Sequence, residues 1–172
     1  ASNAIIFFRK ESEHARKRIQ NAIDRTREYG LLGSDIFSSG YSLDIIIRKE
    51  PGAFVCGEET ALISTLEGKR GMPQLKPPYP TTSGLFGKPT VINNVETLMN
   101  VPVIMHHGPE WFRATGTENS PGTKVFAVAG KGRISGVVEV AMGTTVRTIL
   151  EDIADGIKEG KDFKAVQLGG AS

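Results

Sequence analysis

The chain has 172 residues, of which 39% are hydrophobic and 23% are charged, and its formal net charge is +2. This composition is ordinary for a globular protein of one domain or two small ones, and it gives no electrostatic argument for nucleic acid or a membrane surface. No apolar run approaches the roughly 20 residues of a membrane-spanning helix, and a single cysteine, Cys56, excludes an internal disulfide or an iron–sulfur or zinc site built from several thiolates of this chain.

Two strands and a helix are predicted before residue 50. Residues 4–8 (AIIFF) and 43–49 (LDIIIRK) have the composition of strands. The three adjacent isoleucines of the second predict a strand that is covered on both faces, as in a layered α/β domain. Between Ser12 and Tyr29, apolar residues recur at spacings of three and four, which predicts an amphipathic helix with Ser12 as its N-cap and Gly30 as its stop.

The next segment predicts a strand, a helix and a long loop. Residues 53–56 (AFVC) are a short strand candidate, and residues 58–67 predict a helix that ends at Gly68. Its predicted buried face consists of Ala61, Leu62, Ile63 and Leu66. Residues 71–89 contain five of the nine prolines, and we expect a stiff loop there because proline fixes φ and cannot donate a backbone hydrogen bond.

A helix is predicted from the NNVETLMNV stretch. Asn93 is a suitable N-cap, and Glu96 follows at the spacing of a capping box. Pro102 is expected to kink or end this helix. Residues 109–122 predict a connection with a short helical piece.

The last 50 residues predict a small module of their own. Residues 124–130 and 137–142 predict a hairpin, 145–157 a helix, and 163–168 (FKAVQL) a third strand. The order strand, strand, helix, strand is typical of a β-grasp-like module, in which one helix packs on a sheet.

Two clusters are the main candidates for chemistry. Gly57 at the start of a predicted helix could let a flat ligand or a phosphate approach the backbone, but Glu58 and Glu59 follow it at once. From physics alone the better interpretation is that acidic residues in a first turn stabilise the helix dipole. Asn93 and Asn94 suit either helix capping or the polar groups of a heterocycle or a ribityl chain, and the residues alone do not decide between these.

The remaining candidates are weaker. Lys69, Arg70 and Lys76 suit either a phosphate or an ordinary basic surface, and the second is favoured. His106 and His107 are adjacent but have no third ligand at a suitable spacing, so no metal site is predicted.

Two long stretches resemble a known family. Residues 56–80 (CGEETALISTLEGKRGMPQLKPPYP) and 84–102 (GLFGKPTVINNVETLMNVP) closely resemble the NADH-binding flavoprotein (FMN) subunit of respiratory complex I. The related flavoprotein subunits of NAD(P)-linked hydrogenases and formate dehydrogenases share this resemblance, which covers about residues 6–103. It implies an α/β fold with the C-terminal part of a Rossmann-like FMN- and NADH-binding domain (5–108), a linker (109–122) and a soluble-ligand-binding β-grasp domain (123–172).

The resemblance also implies a function. In such proteins NADH gives a hydride to FMN, and electrons leave singly through iron–sulfur clusters to other subunits of a redox complex, which lies in the cytoplasm or peripherally on the cytoplasmic face of a membrane. The full-length protein is then expected to be an NADH:acceptor oxidoreductase that uses FMN and NAD(H), whose 4Fe-4S cluster lies outside this chain. No bound nucleic acid and no membrane insertion are expected.

The resemblance assigns cofactor-binding roles to particular residues and no catalytic side chain. The implied cofactor-binding residues are Phe54, Gly57, Glu58, Glu59, Tyr79, Asn93, Asn94 and Thr97. Tyr79 stands where the family commonly has a phenylalanine, and Phe54 stands where it commonly has a tyrosine. Gln74 replaces a common arginine, which leaves the role of that position open.

The family's glycine-rich FMN loop and its cysteine-rich cluster domain have no counterpart in this sequence. The chain is therefore expected to be a central fragment that has no oxidoreductase activity and weak or no FMN affinity by itself. The alternative function is a non-catalytic module that docks a ligand or a partner through its β-grasp part. The sequence leaves open whether NADH or NADPH is the donor, and to which complex the parent protein belongs.

Overall fold

The computed structural model describes residues 1–9, 11–49 and 52–169. In this part of the chain it contains helices and strands, and the strands form small two-stranded sheets. The chain divides into two compact units, Ala1–Ile92 (unit 1) and Asn93–Ser172 (unit 2). The domain boundaries given by the resemblance, at residues 108 and 122, remain a prediction. None of the described helices is both long and apolar enough to cross a bilayer.

Unit 1 begins with a parallel strand pair. Strands β1 (Asn3–Phe8) and β2 (Asp44–Lys49) pair from Asn3↔Asp44 to Phe8↔Lys49. Parallel strands need a crossover connection, and α1 (Glu13–Glu28) is part of it. Both predicted strands and the helix are therefore confirmed. The prediction that both faces of β2 are covered is wrong for the described residues, because Ile46 is exposed.

The predicted N-cap of α1 is only partly right. Ser12 occupies the N-cap position, but its side chain makes no capping hydrogen bond. Instead Glu13, in the first turn, binds Arg16 and Lys49. Hydrogen bonds from the Arg16 guanidinium and then from Lys49 lower the pKa of Glu13 to about 2. Gly30, the predicted stop, has a φ of 68°, the left-handed backbone that favours glycine after a helix.

The predicted strand at residues 53–56 is wrong. Phe54–Gly57 is a 3₁₀ turn, in which the N–H of Cys56 donates to the carbonyl of Ala53 over 3.0 Å. Local bonds of this kind satisfy the backbone without a neighbouring strand. The turn leads directly into α2 (Glu59–Leu66), so the predicted helix is confirmed.

The buried face of α2 differs from the predicted one. The buried residues are Thr60, Ala61 and Ser64, whereas the apolar residues Leu62, Ile63 and Leu66 are only partly buried. Small side chains lie on the buried face because residues 71–89, the proline-containing loop, approach α2 closely. A Cβ atom on Gly71 of that loop would lie 2.6 Å from both Cys56 Sγ and Thr65 Oγ1.

Residues 71–89 contain no strand and no α-helix, as predicted, and Leu85–Gly87 form a 3₁₀ turn. The peptide bonds before Pro77 and Pro78 are cis.

Unit 2 begins with α3 (Val95–His107) and the short α4 (Pro109–Arg113), both predicted as helical. The predicted N-cap is wrong by one residue, because Asn94 and not Asn93 occupies that position. Of the two outcomes expected at Pro102, a kink or an end of the helix, the end is ruled out, because α3 continues to His107. Proline removes one backbone donor, and bonds such as Gly108 N–H to Ile104 O, 2.8 Å, are made beyond it.

Two hairpins follow α4. Strands β3 (Gly116–Thr117) and β4 (Ser120–Pro121) form a short one. Strands β5 (Thr123–Val128) and β6 (Gly136–Ala141) pair antiparallel from Thr123↔Ala141 to Val128↔Gly136, which confirms the predicted hairpin.

The end of the chain departs from the β-grasp prediction. The predicted helix is shorter, with α5 (Val146–Thr148) continuing into a π-helical turn, Ile149–Ile153. Residues 163–168 are not a strand, so the predicted third strand is wrong. Residues 154–157 turn back instead, and the carbonyl of Ala154 accepts the N–H of Ile134 over 3.0 Å.

Candidate functional site

The Glu58 carboxylate caps α2. Its Oε2 accepts the backbone N–H groups of Thr60, over 2.9 Å, and Ala61, over 3.0 Å, and also the Thr60 hydroxyl. Burial alone would raise the pKa of Glu58, but these hydrogen bonds and the charge of Lys76 together hold that pKa below its usual value. The interpretation of Glu58 as a helix-stabilising residue is therefore confirmed, and one of its oxygens is fully engaged.

Glu59 forms an ion pair with Lys76 of the proline-containing loop. Tyr79 lies three residues after Lys76, and its side chain is 58% exposed. The ion pair therefore attaches the segment that carries Tyr79 to the acidic start of α2. The sequence did not predict this pairing, and Lys76 was favoured as ordinary basic surface.

Gly57 lies at the end of the 3₁₀ turn that precedes Glu58. A Cβ atom added there would meet no heavy atom within 4 Å, so the backbone borders open space. Phe54, in the same turn, is exposed, and the Arg9 guanidinium carbon lies 5.2 Å from its ring centroid. Unit 1 thus places Phe54 and Gly57 in the 3₁₀ turn and Glu58 and Glu59 at the start of α2 directly after it. The ion pair of Glu59 with Lys76 joins the proline-containing loop to this segment.

Gln74 makes a second connection between the loop and α2. Its backbone N–H donates to Thr60 Oγ1 over 2.8 Å, and its side-chain Nε2 donates to Ser64 Oγ over 3.0 Å. Sequence reasoning left the role of Gln74 open and did not single out Thr60 or Ser64. Two hydroxyls four residues apart in an apolar helix were the signal that could have found them.

Asn93, Asn94 and Thr97 lie at the start of α3 in unit 2. Asn94 Oδ1 accepts the N–H of Glu96 over 2.9 Å, so this residue is the cap. Asn93 and Thr97 are exposed, and their side chains make no hydrogen bond to the described part of the chain. The sequence left open whether these asparagines cap the helix or bind a ligand. In the structure Asn94 caps the helix and Asn93 does not.

The carboxylate of Glu96 does not close a capping box. It binds Lys124, and its Oε1 accepts the N–H of Val125 over 3.0 Å. The hydrogen bond from Lys124 and then the one from Val125 lower the pKa of Glu96. Glu96 therefore joins the start of α3 to β5.

The weaker candidates gain no ligand-binding feature. Lys69 pairs with Glu67, and the Nζ to Oε2 distance is 2.7 Å. The ring of His107 stacks on that of Trp111 at 4.9 Å. Within residues 1–9, 11–49 and 52–169, no group of three or more His, Cys, Asp or Glu side chains could hold a metal ion.

The comparison with known families agrees with the motifs on both units. A model of the Nuo51 FMN-binding domain matches residues 1–103. The chain belongs to the Nuo51 FMN-binding family. The match contains every residue that the resemblance singled out, from Phe54 to Thr97, and the resemblance itself is confirmed.

Curated relatives of the Nuo51 family match nearly the whole chain. The chain is 53% identical over 172 residues to the NADP-reducing hydrogenase subunit HndC of Solidesulfovibrio fructosivorans, covering all of this chain and 35% of that protein. It is 45% identical over 171 residues to an NADH-quinone oxidoreductase subunit of Escherichia coli (strain K12), covering 99% of this chain and 38% of that one. The chain thus spans little more than a third of the length of these relatives.

A solved structure shows the same similarity. The crystal structure of an NAD+-reducing [NiFe]-hydrogenase in the H2-reduced state matches with a TM-score of 0.77 and 37% identity. The match covers 91% of this chain and 26% of that one.

The side chains of each unit, taken separately, have chemistry that suits FMN or a dinucleotide. The open space at Gly57 and the exposed ring of Tyr79 suit flat ring systems, and the exposed Asn93 and Thr97 can hydrogen-bond to a ligand. Glu58 fits less well, because the oxygen that caps α2 already accepts three hydrogen bonds. Its other oxygen is the one that a ligand would meet.

Proposed function

We propose that this chain is part of the flavoprotein subunit of an NAD(P)H-oxidising complex. The support is that a Nuo51 FMN-binding model matches residues 1–103 and that relatives named as hydrogenase and NADH-quinone oxidoreductase subunits match along nearly the whole chain. Partners in this proposal are the iron–sulfur subunits of the complex, in the cytoplasm or peripherally on the cytoplasmic face of a membrane. The finer architecture proposed is a partial Rossmann-like domain (5–108), a linker (109–122) and a β-grasp domain (123–172).

The observation that carries the proposal for unit 1 is the Lys76–Glu59 ion pair, which joins the Tyr79 loop to the Gly57 turn. In this proposal Gly57 leaves room for a flat ring, Tyr79 stacks on the dinucleotide, and Phe54 borders the same space. Glu59 and the free oxygen of Glu58 accept hydrogen bonds from nucleotide hydroxyls. No side chain of this chain needs to act as a general base, because the hydride and single-electron chemistry would be supplied by FMN when it is bound.

For unit 2, the proposal assigns Asn93, Asn94 and Thr97 to FMN. Asn94 Oδ1 is used by the cap, which leaves its Nδ2 group as a donor. Asn93 and Thr97 offer both donors and acceptors, which suit the edge of the flavin ring or the ribityl hydroxyls.

The proposed role of Glu59 makes a prediction about the coenzyme. A carboxylate near the adenosine ribose accepts hydrogen bonds from its 2′-OH and repels a 2′-phosphate. In the full-length protein, Glu59→Gln is therefore expected to raise the ratio of kcat/KM for NADPH to kcat/KM for NADH by about 10-fold, since one pair of like charges is removed. Steady-state kinetics with both coenzymes and an artificial electron acceptor measure this ratio.

The matched control for this experiment is Glu28→Gln, which neutralises an exposed carboxylate on α1 and should leave the ratio unchanged. A ratio that is the same in Glu59→Gln and the wild type would refute the assignment of Glu59. Wild-type protein that binds neither FMN nor NADH would refute the proposed function as a whole.

The hairpin of unit 2 supports a second candidate, a docking module. Val137 on β6 is 75% exposed, and Val125 on β5 is exposed as well. Uncovered apolar side chains on a two-stranded sheet suit contact with another protein. Replacing both valines by threonine should weaken assembly with partner subunits in this case and leave the NADH kinetics of the isolated subunit unchanged.

A further inference from the structure

The proline-containing loop is joined to α2 by hydrogen bonds from the exposed Gln74 to two hydroxyls that are buried. Thr60 and Ser64 are only 9% and 2% exposed. Gln74 donates to both hydroxyls, through its backbone N–H and its side-chain amide. Ser64 in turn donates to the carbonyl of Thr60 over 3.0 Å. We call Thr60, Ser64 and Gln74 the Gln74 anchor.

The hydrogen bonds of the anchor have a fixed direction. A backbone N–H can only donate, so Thr60 Oγ1 accepts from Gln74 and keeps its own proton for another partner. That partner is Glu58 Oε2, which can only accept when it is ionised. The result is a continuous chain from the loop, through one hydroxyl, to the carboxylate that caps α2.

The anchor differs from the Lys76–Glu59 ion pair, which also joins the loop to α2. The Lys76–Glu59 side chains are 30% and 39% exposed, and ion pairs this open to solvent contribute little and weaken with salt. The hydroxyl of Thr60 is buried and neutral, so its bond to the Gln74 N–H does not depend on salt in this way. The position of the loop relative to α2 therefore rests on Thr60 more than on the ion pair.

We propose that Thr60, together with Ser64, is a positioning residue, because the two hydroxyls hold the loop carrying Lys76 and Tyr79 against α2 and thereby set the affinity for the dinucleotide. Gln74 lies two residues before Lys76 and five before Tyr79, so its bonds to α2 fix the base of that segment. The part of this inference that concerns affinity rests on the proposed function. The part that concerns the loop does not.

Three variants of the full-length protein test the inference. Thr60→Val has nearly the same shape but no hydroxyl, and Thr60→Ser keeps the hydroxyl. Thr82→Val is the matched control, because Thr82 is exposed and its hydroxyl makes no hydrogen bond to the residues that the structure describes. Two readouts are used. One is hydrogen exchange of the backbone N–H of Gln74, and the other is the KM and kcat for NADH with an artificial electron acceptor.

We expect the backbone N–H of Gln74 to exchange at least about 10-fold faster in Thr60→Val, because the acceptor of its hydrogen bond, Thr60 Oγ1, is lost. The KM for NADH should rise about 3- to 10-fold, as expected for the loss of the two hydrogen bonds of the Thr60 hydroxyl, to Gln74 and to Glu58. The kcat should stay within about twofold, since the loop contributes to binding and not to the hydride step. Thr60→Ser should restore both values, and Thr82→Val should change neither.

Unchanged exchange of Gln74 in Thr60→Val would overturn the anchor itself. Faster exchange with an unchanged KM would show that the anchor is only structural and would overturn the positioning role. Wild-type protein that fails to oxidise NADH would reject the proposed function and the role in affinity with it, while the exchange data would still decide whether Thr60 holds the loop.

A further variant, Gln74→Met, covers the case in which Thr60→Val does not fold. Gln74→Met keeps the backbone N–H that binds Thr60 and removes only the amide that binds Ser64. We expect a smaller rise in the KM for NADH, about 2- to 5-fold, because one bond is lost instead of two. An unchanged KM in this variant would overturn the inference.

Discussion

Helices α2 and α3 begin in the same way but are held differently. Each is capped by the side chain of the residue before it, Glu58 or Asn94, and each has a first-turn glutamate that binds a lysine distant in sequence. Yet α2 buries three residues, whereas α3 has no buried residue. A capped start is therefore enough to begin a helix, whereas the burial of the helix depends on what packs against it.

The close packing on α2 gives the largest expected effect. Gly71→Ala would place a Cβ atom 2.6 Å from Cys56 Sγ and Thr65 Oγ1. Cys56 is buried, and the Thr65 hydroxyl is held by its hydrogen bond to the carbonyl of Ala61. We expect a loss of about 1–3 kcal/mol in the free energy of unfolding, typical of an overpacked core. Denaturant unfolding measures it. The control is Gly57→Ala, which meets no atom within 4 Å and should cost less than about 0.5 kcal/mol.

The cap of α3 gives the next largest effect. Asn94→Ala removes the acceptor for the Glu96 N–H and should reduce the free energy of unfolding by about 1 kcal/mol. Asn93→Ala, one residue earlier, should reduce it by less than about 0.5 kcal/mol, because its side chain makes no hydrogen bond to the described residues. Equal losses in the two variants would contradict the assignment of Asn94 as the cap.

The bridge from α3 to β5 gives a smaller effect that depends on pH. Glu96→Gln weakens the contacts with Lys124 and Val125 and should lower the thermal transition by up to about 2 °C at neutral pH. The folded pKa of Glu96 is lowered, so its contribution is complete above the unfolded value, about 4.3, and is lost as the pH falls through the folded value.

Thermal unfolding of wild type and Glu96→Gln between pH 3 and 7 tests this prediction. The difference between the two should be constant above about pH 5 and should shrink below about pH 4. Glu118→Gln is the matched control, since Glu118 is exposed and makes no ion pair or hydrogen bond to the described residues. A difference that grows as the pH falls would have the wrong sign for a carboxylate with a lowered pKa.

The ion pair of α2 with the loop gives the smallest effect. Lys76→Gln should change the free energy of unfolding by less than about 0.5 kcal/mol, because both partners are partly exposed. The change should vanish in about 1 M salt, where exposed charges are screened. A larger, salt-independent loss would show that this pair, and not the Gln74 anchor, holds the loop to α2.

Local patterns were sufficient for most elements. Periodicity and turn residues predicted β1, β2, α1, α2, α3 and the β5–β6 hairpin, because each is specified by side chains close in sequence. The same reasoning failed at 53–56 and 163–168, where short apolar runs are compatible with a strand, a turn or an irregular segment. Pairing with a second strand decides such cases, and that partner is not encoded within the run.

The candidate site followed the same division. A long motif match, not periodicity, pointed to Gly57, Glu58, Glu59 and Tyr79, and these assignments remain predictions about a ligand. The first-turn glutamates were expected from physics to stabilise their helix, and Glu58 does so. Which oxygen is engaged and which lysine faces Glu59 depend on the loop, so neither could be predicted from spacing.

The sequence by itself determined the family, the positions of most helices and strands, and the residue types at the start of α2. Only the tertiary structure decided that Asn94 caps α3, that Glu96 binds Lys124, and that Gln74 joins the loop to α2. The physical reason is the separation in sequence of the residues that interact, since caps and periodic faces form between residues within one or two helical turns. Bonds such as Gln74 to Thr60 join residues that come together only when the loop folds back, and then buried hydroxyls need partners.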